Sequence, residues 1–256
     1  MHKVVIFDLD GTLAESKQPI APAIAARLSE LLIHTRIGVI SGGALPQFLK
    51  QVVAQLPSDA NLSNLYLLPT SGAALYKWEH PSTPLRAGDE WKNVYEEHLK
   101  DSEVAKIEEA MREAAAETGL IDFSKPAYGP YIERRGGEVS LSALGQRAPI
   151  ALKKEWDPDK KKRHALQAAI QKRLPEFAAG MGGATTIDVT KRGVDKAYGL
   201  RQLCRLLNVS EKDALYIGDE LEKDGNDEAV FKTAAATRAV ASPAETAALI
   251  EELLRT

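Results

Sequence analysis

The chain opens on Val4-Val5-Ile6-Phe7, an apolar, mostly β-branched run that ends at Asp8. A run this short, without polar alternation, predicts a strand buried on both faces of a parallel sheet. Apolar residues then recur at helical spacing at Ile20, Ile24, Leu28, Leu31 and Leu32, with Pro19 and Pro22 marking the helix start. The strand pattern returns at 36–40 and stops at Ser41-Gly42-Gly43. A helix is expected over 45–56, and a third strand over 65–68, ending at Pro69-Thr70-Ser71-Gly72. Strand, polar loop and helix in repetition is the rhythm of an open α/β sheet.

That rhythm breaks near residue 81, where Pro81-Ser82-Thr83-Pro84 reads as a linker. The following stretch predicts charged helices over 90–118 and 157–173. Around them lie short strands near 131–134 and 138–144, joined by a hairpin at Gly136-Gly137, and a third strand at 184–189. The α/β pattern resumes with a helix over 195–207, whose Ala197, Leu200, Leu203, Cys204 and Leu207 share one face. A strand over 213–217 stops at Gly218-Asp219. A last strand spans 234–240, and a helix starts at Pro243. The expected fold is α/β, a Rossmann-like parallel-sheet core made of 1–81 and 190–256. An α+β cap over 82–189 interrupts it.

Composition narrows the function classes. With 256 residues, 44% hydrophobic and 27% charged, the chain is an ordinary globular one with room for a sizeable core. Its 33 Lys+Arg against 36 Asp+Glu leave no basic surplus, which argues against nucleic acid as a general partner. The run Lys160-Lys161-Lys162-Arg163 reads as a solvated helix face, with only Trp156 nearby as a stacking platform. A single cysteine, Cys204, excludes an intrachain disulfide and a Cys-rich zinc site, and the five histidines lack metal-ligand spacing. No apolar run approaches the ~20 residues of a membrane span. The N-terminal run is shorter than the ~7–15 apolar residues of a signal peptide. A cytoplasmic location without a membrane partner is expected.

Ligand crevices of open α/β sheets lie at the carboxyl ends of the strands. Asp8 and Asp10, Ser41, Lys196, and Asp219 with Asn226 and Asp227 are therefore expected to converge. Four aspartates in one crevice repel one another unless a cation joins them, and an oxygen-rich site suits Mg²⁺. A metal and a lysine together neutralise a phosphate in its transition state. One aspartate can then act as nucleophile and the other as acid and base. Blander readings stand beside these. Asp8 and Asp10 also suit a turn, Ser41 a helix cap, Lys196 a solvated helix position and Asp227 a helix N-terminus.

Asp8-Leu9-Asp10-Gly11-Thr12 resembles motif I of the haloacid dehalogenase-like superfamily. Ser41 resembles its motif II hydroxyl, Lys196 its motif III lysine, and Gly218-Asp219 with Asn226-Asp227 its motif IV. The resemblance implies that Asp8 is the nucleophile and that Asp10 is the acid/base. It also implies Mg²⁺ held by Asp8, Asp10 (through its carbonyl) and Asp219, with Asn226 and Asp227 in support. Ser41, Gly42 and Lys196 would bind phosphate.

The insert between motifs II and III resembles a type IIB cap. Its segments 131–145 and 182–196 resemble the eukaryotic-type phosphomannomutases, as does Lys17-Gln18-Pro19-Ile20 in the core. In that family the cap holds a second phosphate and the sugar hydroxyls. The resemblance implies that Arg135 grips phosphate, that Thr186 contacts it and that Asp188 faces hydroxyls. It also implies a homodimer formed through the cap.

Three departures bear on the reaction. Lys17 stands where the mutases have Arg, and lysine is the poorer bidentate phosphate ligand. Gln146 stands where they have a phosphate-binding Arg. Arg147 is one residue on, and a one-residue shift on a strand turns a side chain to the other face. Ser41-Gly42-Gly43 is closer to the sugar phosphatases than to the mutases' Gly-Gly-Ser. Arg134, Arg135 and Arg147 read equally well as exposed strand charges. The expectation is a Mg²⁺-dependent phosphatase of a small sugar phosphate, working through an aspartyl-phosphate. The alternative is a phosphomannomutase interconverting hexose 1- and 6-phosphates. A catalytically silent module has no need of the full residue set.

Overall fold

The computed structural model describes residues 2–79 and 91–255; the expected linker at 81–84 lies outside them. In chain order the strands are β1 (Val4–Asp8), β2 (Arg36–Ile40), β3 (Leu65–Leu68), β4 (Ala74–Trp78), β5 (Trp91–Glu96), β6 (Ile132–Arg134), β7 (Glu138–Ser142), β8 (Phe177–Met181), β9 (Thr186–Lys191), β10 (Ala214–Gly218) and β11 (Ala236–Ala239). The α-helices are α1 (Pro22–His34), α2 (Leu45–Gln51), α3 (Asp101–Thr118), α4 (Ile150–Trp156), α5 (Lys161–Arg173), α6 (Lys196–Leu207) and α7 (Pro243–Leu254). Two compact units result: Met1–Glu96 with Asp195–Thr256, and Glu97–Val194.

The first unit carries a seven-stranded sheet in the order β11-β10-β1-β2-β3-β4-β5. Strands β11 to β3 run parallel, and β4 and β5 extend the sheet antiparallel. Alternation along β1 sends Val5 and Phe7 into one core, with Ile24 and Leu28 of α1, Phe48 of α2 and Ile250 of α7. It sends Val4 and Ile6 into the other, with Leu200 and Leu203 of α6 and Tyr216 of β10. Burial on both faces is why these strands are written as unbroken apolar runs.

The second unit is a four-stranded antiparallel sheet, β6-β7-β9-β8. Ile107 and Met111 of α3 and Leu166 and Ile170 of α5 pack with Val139, Ile187 and Val189 of that sheet. Among the described residues no helix is long and apolar enough to cross a membrane.

Several expected bounds move. The helix expected over 90–118 is a strand, β5, followed by α3. Trp91 packs edge-on against Trp78 at 5.7 Å, and the Tyr95 hydroxyl donates to the Gly72 carbonyl at 2.7 Å. That strand belongs to the first sheet, so the break expected at 81/82 falls at 96/97. The return, expected at 189/190, falls at 194/195, because β9 runs to Lys191 and the Thr190 hydroxyl donates to the Val194 carbonyl at 2.8 Å. The helix expected over 157–173 is α5, which begins at Lys161; the short α4 before it was not expected, and α2 ends at Gln51 rather than 56. Strands β4 and β8 had no counterpart in the pattern; the Ala-Ala-Gly centre of β8 has little strand preference of its own.

Candidate active site

Lys196 is the first residue of α6, whose N-cap Asp195 accepts the Tyr198 N–H at 3.0 Å. From there its buried ammonium reaches across the sheet edge. It donates to Asp8 Oδ1 at the end of β1 at 2.6 Å, to Asp227 Oδ1 at 2.6 Å, and to Asn226 Oδ1. Three acceptors match the three N–H groups of an ammonium. Asp227 is further fixed by the Tyr216 hydroxyl on Oδ1 and the Glu220 N–H on Oδ2 at 3.2 Å. Asp8 Oδ2 is buried and has no hydrogen-bond partner among the described residues.

The charges explain the protonation behaviour. Burial opposes the charge on Lys196, but Asp227 and Asp8 outweigh it and raise the ammonium above the ordinary lysine range. Burial pushes the Asp8 carboxyl up; Lys196 pulls it down, while Asp227 and Asp219 add to the rise. Burial, then Asp227, push Asp219 up to about 6, against the Thr12 hydroxyl bond. These shifts express one imbalance: three carboxylates surround one ammonium. Burial and Asp227 likewise push the Tyr216 phenol up, so it stays a donor.

One oxygen each from Asp8, Asp219 and Asp227 lie within 4.8 Å of one another, so this group could hold a metal ion. Both oxygens of Asp227 are taken by Lys196, Tyr216 and Glu220. The unpartnered Asp8 oxygen and Asp219 are thus the better-placed donors for a hard cation. Gly11, at φ +100°, lets the motif I loop lie against Asp219: a Cβ there would stand 2.2 Å from Asp219 Oδ2. The Thr12 hydroxyl donates to Asp219 Oδ1 at 3.0 Å.

Asp10 is held differently. Its Oδ1 accepts the Lys17 N–H at 2.6 Å, and its Oδ2 accepts Gln47 Nε2 at 3.0 Å. Ser41 is buried after β2; its Oγ accepts the Gly43 N–H at 3.4 Å, and its carbonyl accepts the Ser71 N–H at 2.9 Å. Gly42 lies between them in the same loop. Asp8, Asp10, Ser41, Lys196, Asp219, Asn226 and Asp227 all lie at this end of the first unit's sheet.

In the second unit Arg135 is engaged by carboxylates. It bonds Glu133 at 2.7 Å and Glu138 at 3.0 Å, and Asp188 stands 4.0 Å away. Gln146 is buried in this cluster, where its Oε1 accepts from Arg135 at 3.1 Å. Thr186 and Asp188 close over Gly182, where a Cβ would lie 2.5 Å from Thr186 Oγ1 and 2.1 Å from Asp188 Oδ2. Arg147 does not join them. It is exposed and lies against Gly129, and it sits with Gln146 in a turn after β7, so turn geometry rather than strand alternation separates the two side chains.

Tyr216, Gln47 and Gln51 went unread in the sequence. The signals were a tyrosine inside the apolar strand Ala214-Leu215-Tyr216-Ile217, and two glutamines four apart on a helix following Ser41.

Comparison with known proteins agrees with this geometry. The eukaryotic phosphomannomutase family profile matches residues 25–256. Human phosphomannomutase 1 is 25% identical over 233 residues, 88% of this chain and 82% of its own. The Saccharomyces cerevisiae phosphomannomutase is also 25% identical, over 98% and 93%. Among solved structures, Plasmodium falciparum IMP-nucleotidase superposes with a TM-score of 0.70 at 19% identity, covering 100% of this chain and 68% of that one. A haloacid dehalogenase-like hydrolase from Bacteroides thetaiotaomicron gives 0.63 at 16%, covering 99% and 100%. With the motif residues gathered at one sheet edge and the profile running through both units, the chain belongs to the eukaryotic phosphomannomutase family of the haloacid dehalogenase-like superfamily.

Proposed function

We propose that this phosphoryl-transfer enzyme interconverts hexose 1- and 6-phosphates, in place of the hydrolytic reading expected first. The family profile and the curated relatives favour this choice. The observation that carries the chemistry is Asp8: one oxygen fixed by Lys196 and the other buried without a partner.

A carboxylate oxygen of Asp8 attacks phosphorus as the P–O bond to the sugar breaks. Asp10 gives its proton to the departing sugar oxygen, leaving an aspartyl-phosphate. Asp10 then takes the proton of the incoming hydroxyl as its oxygen attacks phosphorus, and Asp8 is released as carboxylate. Lys196 and Ser41 hold the phosphoryl oxygens, and Asp227 and Tyr216 keep Lys196 aimed. Asp8, Asp219 and the Asp10 carbonyl would hold Mg²⁺, which would supply charge neutralisation of the phosphoryl group. In this reading Thr186, Asp188 and Arg135 of the second unit are the residues that hold the sugar and its second phosphate.

Hydrolysis, with water as acceptor, is the second reading. It is favoured by the Arg135–Gln146 geometry, in which Arg135 is occupied by carboxylates and a carboxamide replaces a second guanidinium. The test is turnover of mannose and glucose 1- and 6-phosphates with Mg²⁺, with and without glucose 1,6-bisphosphate. Bisphosphate-dependent isomerisation faster than phosphate release is the expected result. Phosphate release that outruns isomerisation overturns it in favour of the phosphatase. A cap-mediated homodimer is part of the same proposal, and light scattering measures it.

A further inference from the structure

Asp10 has to present one oxygen to a sugar oxygen in both half-reactions, yet it sits on a loop and is only half-buried. Its side-chain plane needs an external hold. Helix α2 supplies one. Gln47 and Gln51 are four residues apart, so they lie one above the other on one face. Gln47 Nε2 reaches Asp10 Oδ2 at 3.0 Å, and Gln51 Nε2 stands 3.5 Å from Oδ1 while donating to the Gln18 carbonyl at 2.5 Å. The two carboxamides thus address the two oxygens of one carboxylate.

The Gln47 amide is itself placed. A Cβ on Gly43 would stand 2.4 Å from Gln47 Oε1, so the amide lies over the bare backbone of the loop that follows Ser41. Gln47 therefore bridges that loop and Asp10. We propose that Gln47 is a positioning residue for proton transfer by Asp10, with Gln51 as its second hold. The proposal rests on the phosphoryl-transfer reading of Asp8 and Asp10.

Leaving-group dependence separates positioning from structural support. A departing sugar oxygen needs a proton, whereas p-nitrophenolate leaves without one. Gln47→Met keeps length and bulk but removes the donor; Gln47→His restores a neutral N–H donor at the position of the amide nitrogen. The sugar substrate is the fastest of mannose and glucose 1- and 6-phosphates for the unsubstituted protein. The readouts are its kcat and KM, and the single-turnover burst of p-nitrophenol from p-nitrophenyl phosphate, a step before Asp10 acts as base.

Gln47→Met is expected to lower the sugar-phosphate kcat about tenfold, a part of the 10²–10⁴ that a general acid contributes. KM and the burst should be unchanged, and Gln47→His should recover most of the loss. An equal loss on both substrates, or no loss on either, overturns the positioning role. Asp8→Asn must abolish both signals; if it does not, the phosphoryl-transfer reading itself fails, independently of Gln47.

Discussion

At the scale of single residues the site is built against its own stability. Asp8, Asp219 and Asp227 share one lysine, and Asp219 is pushed up to about 6 from an ordinary 3.8. A carboxyl whose folded value is raised binds protons more tightly in the native state. Without metal, its ionisation therefore destabilises the fold as pH rises through that window, fully above about 6. Asp219→Asn keeps the Oδ1 acceptor for Thr12 and removes the charge. With chelator present, the variant should melt above the unsubstituted protein at pH 7, and the difference should shrink by pH 5. Added Mg²⁺ should raise the melting temperature of the unsubstituted protein, because a ligand of the native state stabilises it, and should leave Asp219→Asn nearly unmoved. Equal melting of the two proteins at pH 7 without metal would remove this account. The carboxylates and Lys196 were legible because each follows a strand or begins a helix, where position alone gives direction. Tyr216 was not, because a phenol inside a buried strand resembles packing until its partner, eleven residues on, is seen.

At the scale of elements, two junctions carry more than their length suggests. Helix α5 starts after Lys160, at φ 62°, and Asp157 serves as its anchor. One Asp157 oxygen accepts the Lys162 N–H at 2.9 Å; the other accepts the Arg163 N–H at 3.1 Å and its Nε at 2.9 Å. Burial pulls the Asp157 carboxyl up, but Arg163 and these backbone donors outweigh it and hold it below the usual range. Asp157→Ala leaves Arg163 buried without its counter-charge and should cost about 3–5 kcal/mol in urea unfolding. The contribution should be complete above about pH 4 and fade below it, as the carboxyl protonates through its lowered folded value.

The second junction seats α6. Gly199 lies one turn after Lys196, and a Cβ on it would stand 2.8 Å from Gly72 Cα and 3.0 Å from Ile40 Cδ1. Gly72 itself sits at φ +86°, so its backbone has little room to yield. Gly199→Ala should cost about 1–3 kcal/mol as overpacking, and should reduce kcat by shifting Lys196. Unchanged stability and turnover would show that α6 is free to move outward. Such contacts are invisible in one sequence, where both glycines look like ordinary loop and helix residues. The helix–strand error at 91–96 has a similar origin. Trp91 and Tyr95 declare themselves as strand residues only through Trp78 and Gly72.

At the scale of the whole molecule, the two units differ in how far the chain must reach to make them. The second is one continuous segment whose core comes entirely from 99–189. The first depends on β1 pairing with β10, Val4 opposite Ala214. Until that pairing forms, Val4, Ile6, Ile40 and Leu68 lack Leu200, Leu203 and Tyr216, which complete their core. Loop closure opposes such distant contacts, and local topologies form faster. A fragment of residues 97–194 is therefore expected to fold alone, as a unit of ordinary domain size with its own core. Trp156, its only tryptophan, should report one cooperative urea transition with a slope of about 1 kcal/mol/M. A fragment of residues 1–96, which contains β1 to β5 but neither β10 nor α6, should show none. If 97–194 lacks a cooperative transition, its core is insufficient by itself; if 1–96 shows one, the distant strand is not what completes the first sheet. The expected pair of results would mean that the insertion folds before the sheet it interrupts. The carboxylate site would then assemble last, when β10 brings Asp219 and Asp227 to the end of β1.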